Sequence, residues 1–215
     1  MKKLLSYLFP ITQKIETHNN GMVEITYDQG KKLLDSANAN YSYGSLQRIL
    51  NFGLQQIDLN KTQNVLLLGL GGGGVIKNLR ENYHYYKKIT AVEIDDIIIQ
   101  IAFKEFNIKP NENLELIHQD ALQYVRTTKK KFDLIIIDLF IDNKVPNAVY
   151  GLDFWGDICN VTHNDGIFLF NASTIVEMGN DIDELKILLS KMFTVEQFDM
   201  VEGSNTLLIG IKNRK

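Results

Sequence analysis

The sequence predicts an α/β fold: an open, mostly parallel sheet with helices on both faces, one reversed strand at its end, and a small β-meander in front. Three observations predict it. From Asn64 onward, apolar strand-like runs alternate with stretches of helical periodicity, the order that builds parallel βαβ units. A glycine run, Gly69-Leu70-Gly71-Gly72-Gly73-Gly74, stands directly after the first of those runs and opens a helix. Near the end, strand-like residues 195–200 and 206–212 are joined only by residues 201–205. That connection permits an antiparallel pair and excludes a parallel crossover.

The elements follow in order. Residues 11–17 and 23–27 flank an Asn19-Asn20-Gly21 turn, and Asp28-Gln29-Gly30 returns the chain into residues 31–34. Turns of this kind supply the positive φ angles that tight hairpins need. Leu46, Ile49, Leu50, Gly53 and Leu54 recur at helical spacing, which predicts a helix over 42–57 with Ser42 as its cap. Core strands are predicted at 65–68, 89–93, 114–117, 132–138 and 166–171. Helices are expected near 74–82, 96–106, 120–127, 152–160 and 182–192. The expected division is a meander over 1–40 and a sheet domain over 41–215, with a linker around 35–41.

Composition narrows the function. A chain of 215 residues with 45% hydrophobic and 23% charged residues suits one globular core and a small appendage. A net charge of −3 lacks the basic excess of a duplex-binding protein, so no nucleic-acid partner is expected. The single cysteine, Cys159, excludes an intrachain disulfide and is read as a packed structural thiol. The histidines at 18, 84, 118 and 163 lack partners at metal-ligand spacing, so no metal site is expected. Met1-Lys2-Lys3 and the apolar residues 4–9 imitate an export signal, but the run is short, Pro10 interrupts it and no cleavage site follows. It reads as an amphipathic element at a subunit contact. No segment approaches the roughly 20 apolar residues of a membrane span, and the expected location is cytoplasmic.

The chemistry gathers at strand ends. Gly69, Gly71, Gly72, Gly73 and Gly74 let the backbone turn sharply and approach a nucleotide-like ligand. Glu93, with Ile94 beside it, ends the second core strand 24 residues after Gly69. An acid there accepts hydrogen bonds from ribose hydroxyls, of a dinucleotide or an adenosyl ligand alike. Asp120, before Ala121, follows the third strand, where it serves as a ligand group, a helix cap, or both. Asp138 ends the fourth strand and faces the reacting end of a bound cofactor, where it orients an amine, holds a cationic acceptor or acts as a base.

These residues resemble the spermidine synthase-like branch of the class I S-adenosylmethionine-dependent methyltransferases. The resemblance runs from about Ile11 to Thr174. It is carried by residues 66–74, Ala91-Val92-Glu93-Ile94-Asp95, Gln119-Asp120-Ala121 and residues 132–138. It implies a Rossmann-like seven-stranded sheet whose last strand is antiparallel. S-adenosylmethionine, or its decarboxylated form, is the implied cofactor. Glu93 would lie on the ribose, Asp120 with Ala121 at the adenine, and the glycine loop beside the methionine portion. A homodimer is expected on the same ground.

Two departures bear on the reaction. Aminopropyltransferases carry an aspartate where Gly72 aligns, and follow the fourth strand with Asp-Ser-Ser-Asp-Pro; here Leu139, Phe140 and Ile141 follow Asp138, and Asp142 lies one position late. Diamines need several placed carboxylates. The expectation is therefore methyl transfer to a small acceptor, with aminopropyl transfer and a non-catalytic binding module as alternatives. The expected acceptor pocket comprises Tyr41, Tyr43, Phe140, Asp142, Trp155 and Asn171, with Asp138 catalytic.

Overall fold

The computed structural model describes residues 2–36, 45–141, 144–173 and 182–214. After a single helical turn, α1 (Lys2–Leu5), three strands form an antiparallel sheet in the order β1-β2-β3: β1 (Ile11–Glu16), β2 (Met22–Asp28) and β3 (Lys31–Ser36). Gln29 and Gly30 both take positive φ, 47° and 75°, as a two-residue hairpin turn requires. Val23, Ile25 and Leu34 on its inner face pack against Ile98 and Ile101 of α4 (Asp96–Phe106).

The main sheet has seven strands in the order β6-β5-β4-β7-β8-β10-β9. They are β4 (Asn64–Leu68), β5 (Lys88–Glu93), β6 (Leu114–His118), β7 (Phe132–Ile137), β8 (Thr162–Ser173), β9 (Phe193–Val201) and β10 (Asn205–Lys212). The pairs among β4 to β8 are parallel. Strand β10 runs antiparallel to both β8 and β9 and lies between them. The reversed strand expected from the short 201–205 connection is thus present, wedged inside the sheet rather than added at its edge.

Helices cover both faces. Val65, Leu67, Ile89, Leu134 and Ile136 point to one side, into a core shared with α2 (Ser45–Gln55) and α3 (Gly74–Glu81). Leu66, Leu68, Val92, Ile135 and Ile137 point to the other, against α5 (Ala121–Thr127), α6 (Leu152–Val161) and α7 (Ile182–Leu189). Period-2 alternation with both faces covered is why these strands read as unbroken apolar runs. Cys159 is half-buried against the second core.

Three boundaries differ from expectation. Helix α2 starts at Ser45 within the described residues, and the expected cap Ser42 and most of the 35–41 linker fall outside them. Strand β7 stops at Ile137, which leaves Asp138 just beyond the ladder. Strand β8 begins at Thr162, not Gly166, because Thr162 pairs with Phe132 before the register jumps to Leu134 opposite Ile167. The His163-Asn164-Asp165-Gly166 stretch, a turn signal by composition, is a bulge inside a strand.

Candidate active site

The strand order reverses at β4, between β5 and β7, and the crevice outside such a switch point is where open α/β sheets hold ligands. The Gly69 N–H donates to Val92 O at 3.0 Å and the Asp138 N–H to Leu68 O at 2.9 Å, so the three chains part there. Gly69 has φ 93°, and a Cβ on it would overlap the Asp138 carbonyl oxygen. Only glycine fits. Gly73, at φ 78°, caps α3, and a Cβ there would overlap Ile108.

Glu93 is 9% exposed and braces the glycine loop. Its Oε2 accepts from the N–H groups of Leu70 (3.0 Å) and Gly71 (3.4 Å), and its Oε1 from Asp95 N–H (3.1 Å). Burial raises its pKa against the pull of these three donors. A carboxylate offers about four lone-pair sites, so one remains on Oε1 and the long Gly71 bond is the weakest of the others. That capacity fits a ribose hydroxyl, and the bare backbone at Gly69 and Gly73 fits close approach by an adenosyl group.

Asp120 caps α5, its Oδ1 accepting from Gln123 N–H at 2.8 Å, with Ala121 buried behind it. The cap uses one oxygen, and no described residue hydrogen-bonds the other. Ile94, partly exposed, offers its carbonyl to His118 Nε2 at 3.0 Å. Asp138 keeps partial surface exposure, yet burial of its carboxyl pushes the pKa up to about 6, against the opposing hydrogen bond from Asn171. Asn171 Nδ2 donates to Asp138 Oδ1 at 3.0 Å. Gly69 to Gly74, Glu93, Asp120 and Asp138 thus stand at or just past the carboxyl ends of β4, β5, β6 and β7, with Asn171 beside Asp138.

The expected acceptor pocket fares differently. Tyr41, Tyr43 and Asp142 lie outside the described residues. Phe140 is partly buried against the second core. Trp155 is a correction: it is 0% exposed, 4.7 Å from the Phe168 ring and 5.6 Å from Phe154 and Phe170. A tryptophan locked in an aromatic cluster beneath the sheet lines no acceptor cavity. His18, expected to stand alone, meets Asp96 Oδ1 at 2.8 Å, and Asp95 lies beside them. Asp95 is already engaged by Ile97 N–H, Asn19 N–H and Asn20 Nδ2. Sequence reasoning missed that role, although an acid before the apolar run of α4 is a cap signal. Among the described residues, no helix is long and apolar enough to cross a membrane.

The Spermine/spermidine synthase domain profile matches residues 47–201, which include every strand-end group just described. The chain belongs to this family. Polyamine aminopropyltransferase 2 of Aquifex aeolicus (strain VF5) is 33% identical over 123 residues, 53% of this chain and 24% of that protein. The polyamine aminopropyltransferase of Thermoplasma volcanium is 27% identical over 159 residues, 69% of this chain and 56% of that protein. The chain thus spans less than two thirds of the length of these relatives. In fold it is similar to human methyltransferase-like protein 13 in complex with SAH (TM-score 0.65, 19% identical, 80% of this chain and 84% of that one). It is likewise similar to a probable spermidine synthase from Corynebacterium glutamicum (TM-score 0.63, 16% identical, 96% and 78%). These sequence relatives are aminopropyltransferases; the methyltransferase likeness is one of fold. The balance moves from the expected methyl transfer toward the alternative.

Proposed function

We propose that this spermine/spermidine synthase family member transfers an aminopropyl group from decarboxylated S-adenosylmethionine to a small amine. The observation that carries the reading is the family match over residues 47–201, which spans the glycine loop, Glu93, Asp120 and Asp138 together. The donor supplies an activated carbon–sulfur bond. The new nitrogen–carbon bond forms as that bond breaks, the electron pair stays on sulfur, and one proton leaves the acceptor nitrogen.

The chain's own residues supply position and a proton sink. Glu93 holds the ribose, the glycine loop lies beside the sulfonium-bearing chain, and the second oxygen of Asp120 takes the adenine amine. Asp138, with its pKa near 6, is ionised at neutral pH, so it attracts an ammonium and receives its proton. Gly72 and the Leu139-Phe140-Ile141 segment favour a second reading, methyl transfer from S-adenosylmethionine, because they lack acids that would grip a diamine.

One experiment separates the readings. The protein is incubated with decarboxylated S-adenosylmethionine and a panel of diamines, and in parallel with S-adenosylmethionine and the same panel, with products read by mass spectrometry. An aminopropylated amine is expected, lost in Asp138→Asn. Methylated product alone would replace the proposal with the second reading, and ligand binding without turnover on either donor would leave a binding module.

A further inference from the structure

Three side chains from two strands and a turn form a one-way hydrogen-bond chain that ends on Asp138. Ser204 Oγ donates to Asn205 Oδ1 at 2.8 Å, Asn205 Nδ2 donates to Asn171 Oδ1 at 2.8 Å, and Asn171 Nδ2 donates to Asp138 Oδ1 at 3.0 Å. An amide that receives at its oxygen offers its nitrogen onward, so the sense of each link dictates the next. Asn171 is fully buried and cannot turn to water instead.

The backbone is shaped for this meeting. The β10 ladder to β8 slips between Thr206 and Leu207, and its ladder to β9 slips between Asn205 and Leu207. Both irregularities fall at the residues that bring Asn205 to Asn171. Bulges re-aim side chains, and this one aims an amide at the site's edge.

We propose that Asn205, oriented by Ser204, is a positioning residue that fixes the amide sense of Asn171, so that Asn171 presents an N–H rather than an oxygen to Asp138. With an N–H on it, the Asp138 carboxylate is favoured over the acid; with an oxygen on it, the acid is favoured. Chains of aligned hydrogen bonds also strengthen one another. Among the described residues the influences on Asp138 are burial and Asn171, and no charged side chain on β4, β7 or β8 adds to them. The proposal rests on the reading of Asp138 as the proton acceptor.

The test is a carbon-13 NMR titration of the Asp138 carboxyl in the protein alone, in wild type, Asn205→Ala, Ser204→Ala and Ser204→Thr. Wild type should titrate near 6. N205A should titrate higher by about half a pH unit or more, as the Asn171 oxygen loses the amide donor that Asn205 supplies. S204A should shift the same way by less, and S204T, which keeps the hydroxyl, should return to the wild-type midpoint. A folded N205A with an unchanged midpoint overturns the proposal. Should N205A fail to fold, equal midpoints for S204A and S204T overturn it. Because no donor or acceptor is present, a shift without any transferase product leaves the relay standing and removes only its catalytic setting. Product formation with no shift removes the relay.

Discussion

Two carboxylates at the carboxyl edge, Glu93 and Asp138, sit where burial opposes their charge and raises their pKa, and hydrogen bonds of a different kind oppose that rise at each. Glu93 is held by three backbone N–H groups. Glu93→Gln would turn an NH2 toward one of those donors. It should lower stability by about 1–3 kcal/mol and weaken adenosyl binding, as read by melting and by calorimetry with S-adenosylhomocysteine. Unchanged values in both would show that Glu93 neither braces the loop nor meets the ligand. Asp138 holds its proton to higher pH folded than unfolded, so its contribution to folding declines as pH rises from 3.8 to about 6 and is level above that. Asp138→Asn should therefore match wild type near pH 4 and exceed it by about 1–3 kcal/mol at pH 7, while turnover drops about 100-fold or more. An equal melting difference at both pH values would contradict this. Both acids were legible from spacing and strand ends. Ser204 and Asn205 were not, because their meeting with Asn171 depends on a register slip that no local pattern announces.

At the scale of elements, close packing decided what periodicity left open. Gly210, mid-strand in β10, stands opposite Phe168 of β8, and a Cβ on it would overlap the phenyl ring. That ring is wedged between Trp155 at 4.7 Å and Phe193 at 4.9 Å, so it has nowhere to retreat. Gly210→Ala should cost about 1–3 kcal/mol of unfolding free energy in a denaturant titration. The double variant with Phe168→Leu should recover part of that loss, and strict additivity would show that the two sites do not meet. The same crowding explains Trp155: it looked available for a pocket because a sequence shows residue type, not which face of α6 the aromatic cluster claims. The parallel strands β4 to β7, by contrast, were readable, since burial on both faces writes itself as a continuous apolar run.

For the whole molecule, Asp95 couples the small sheet to the large one. It caps α4 through Ile97 N–H at 3.0 Å and receives Asn19 N–H from the β1–β2 turn at 2.7 Å. Burial works against its charge, yet hydrogen bonds from Asn19, Thr17 and the first turn of α4 hold its pKa below the usual carboxylate range. A depressed acid stabilises above its unfolded pKa, and that contribution is lost as pH falls through the folded value. Asp95→Ala should speed amide hydrogen exchange in residues 11–36 more than in β4 or β7; uniform acceleration would mean that the two sheets open as one. The expected order of elements survives across the chain. What the sequence could not show is which strand enters the main sheet where. Strand β10 follows β9 in the chain but separates it from β8, so β9 has no seat until β10 has docked. During folding, β8 therefore waits with a bare edge, the state in which chains pair wrongly with one another. Asn171, which donates to the acid at the tip of β7, also gains its Asn205 partner only when that wedge closes, so the site matures at the end of assembly rather than at its beginning.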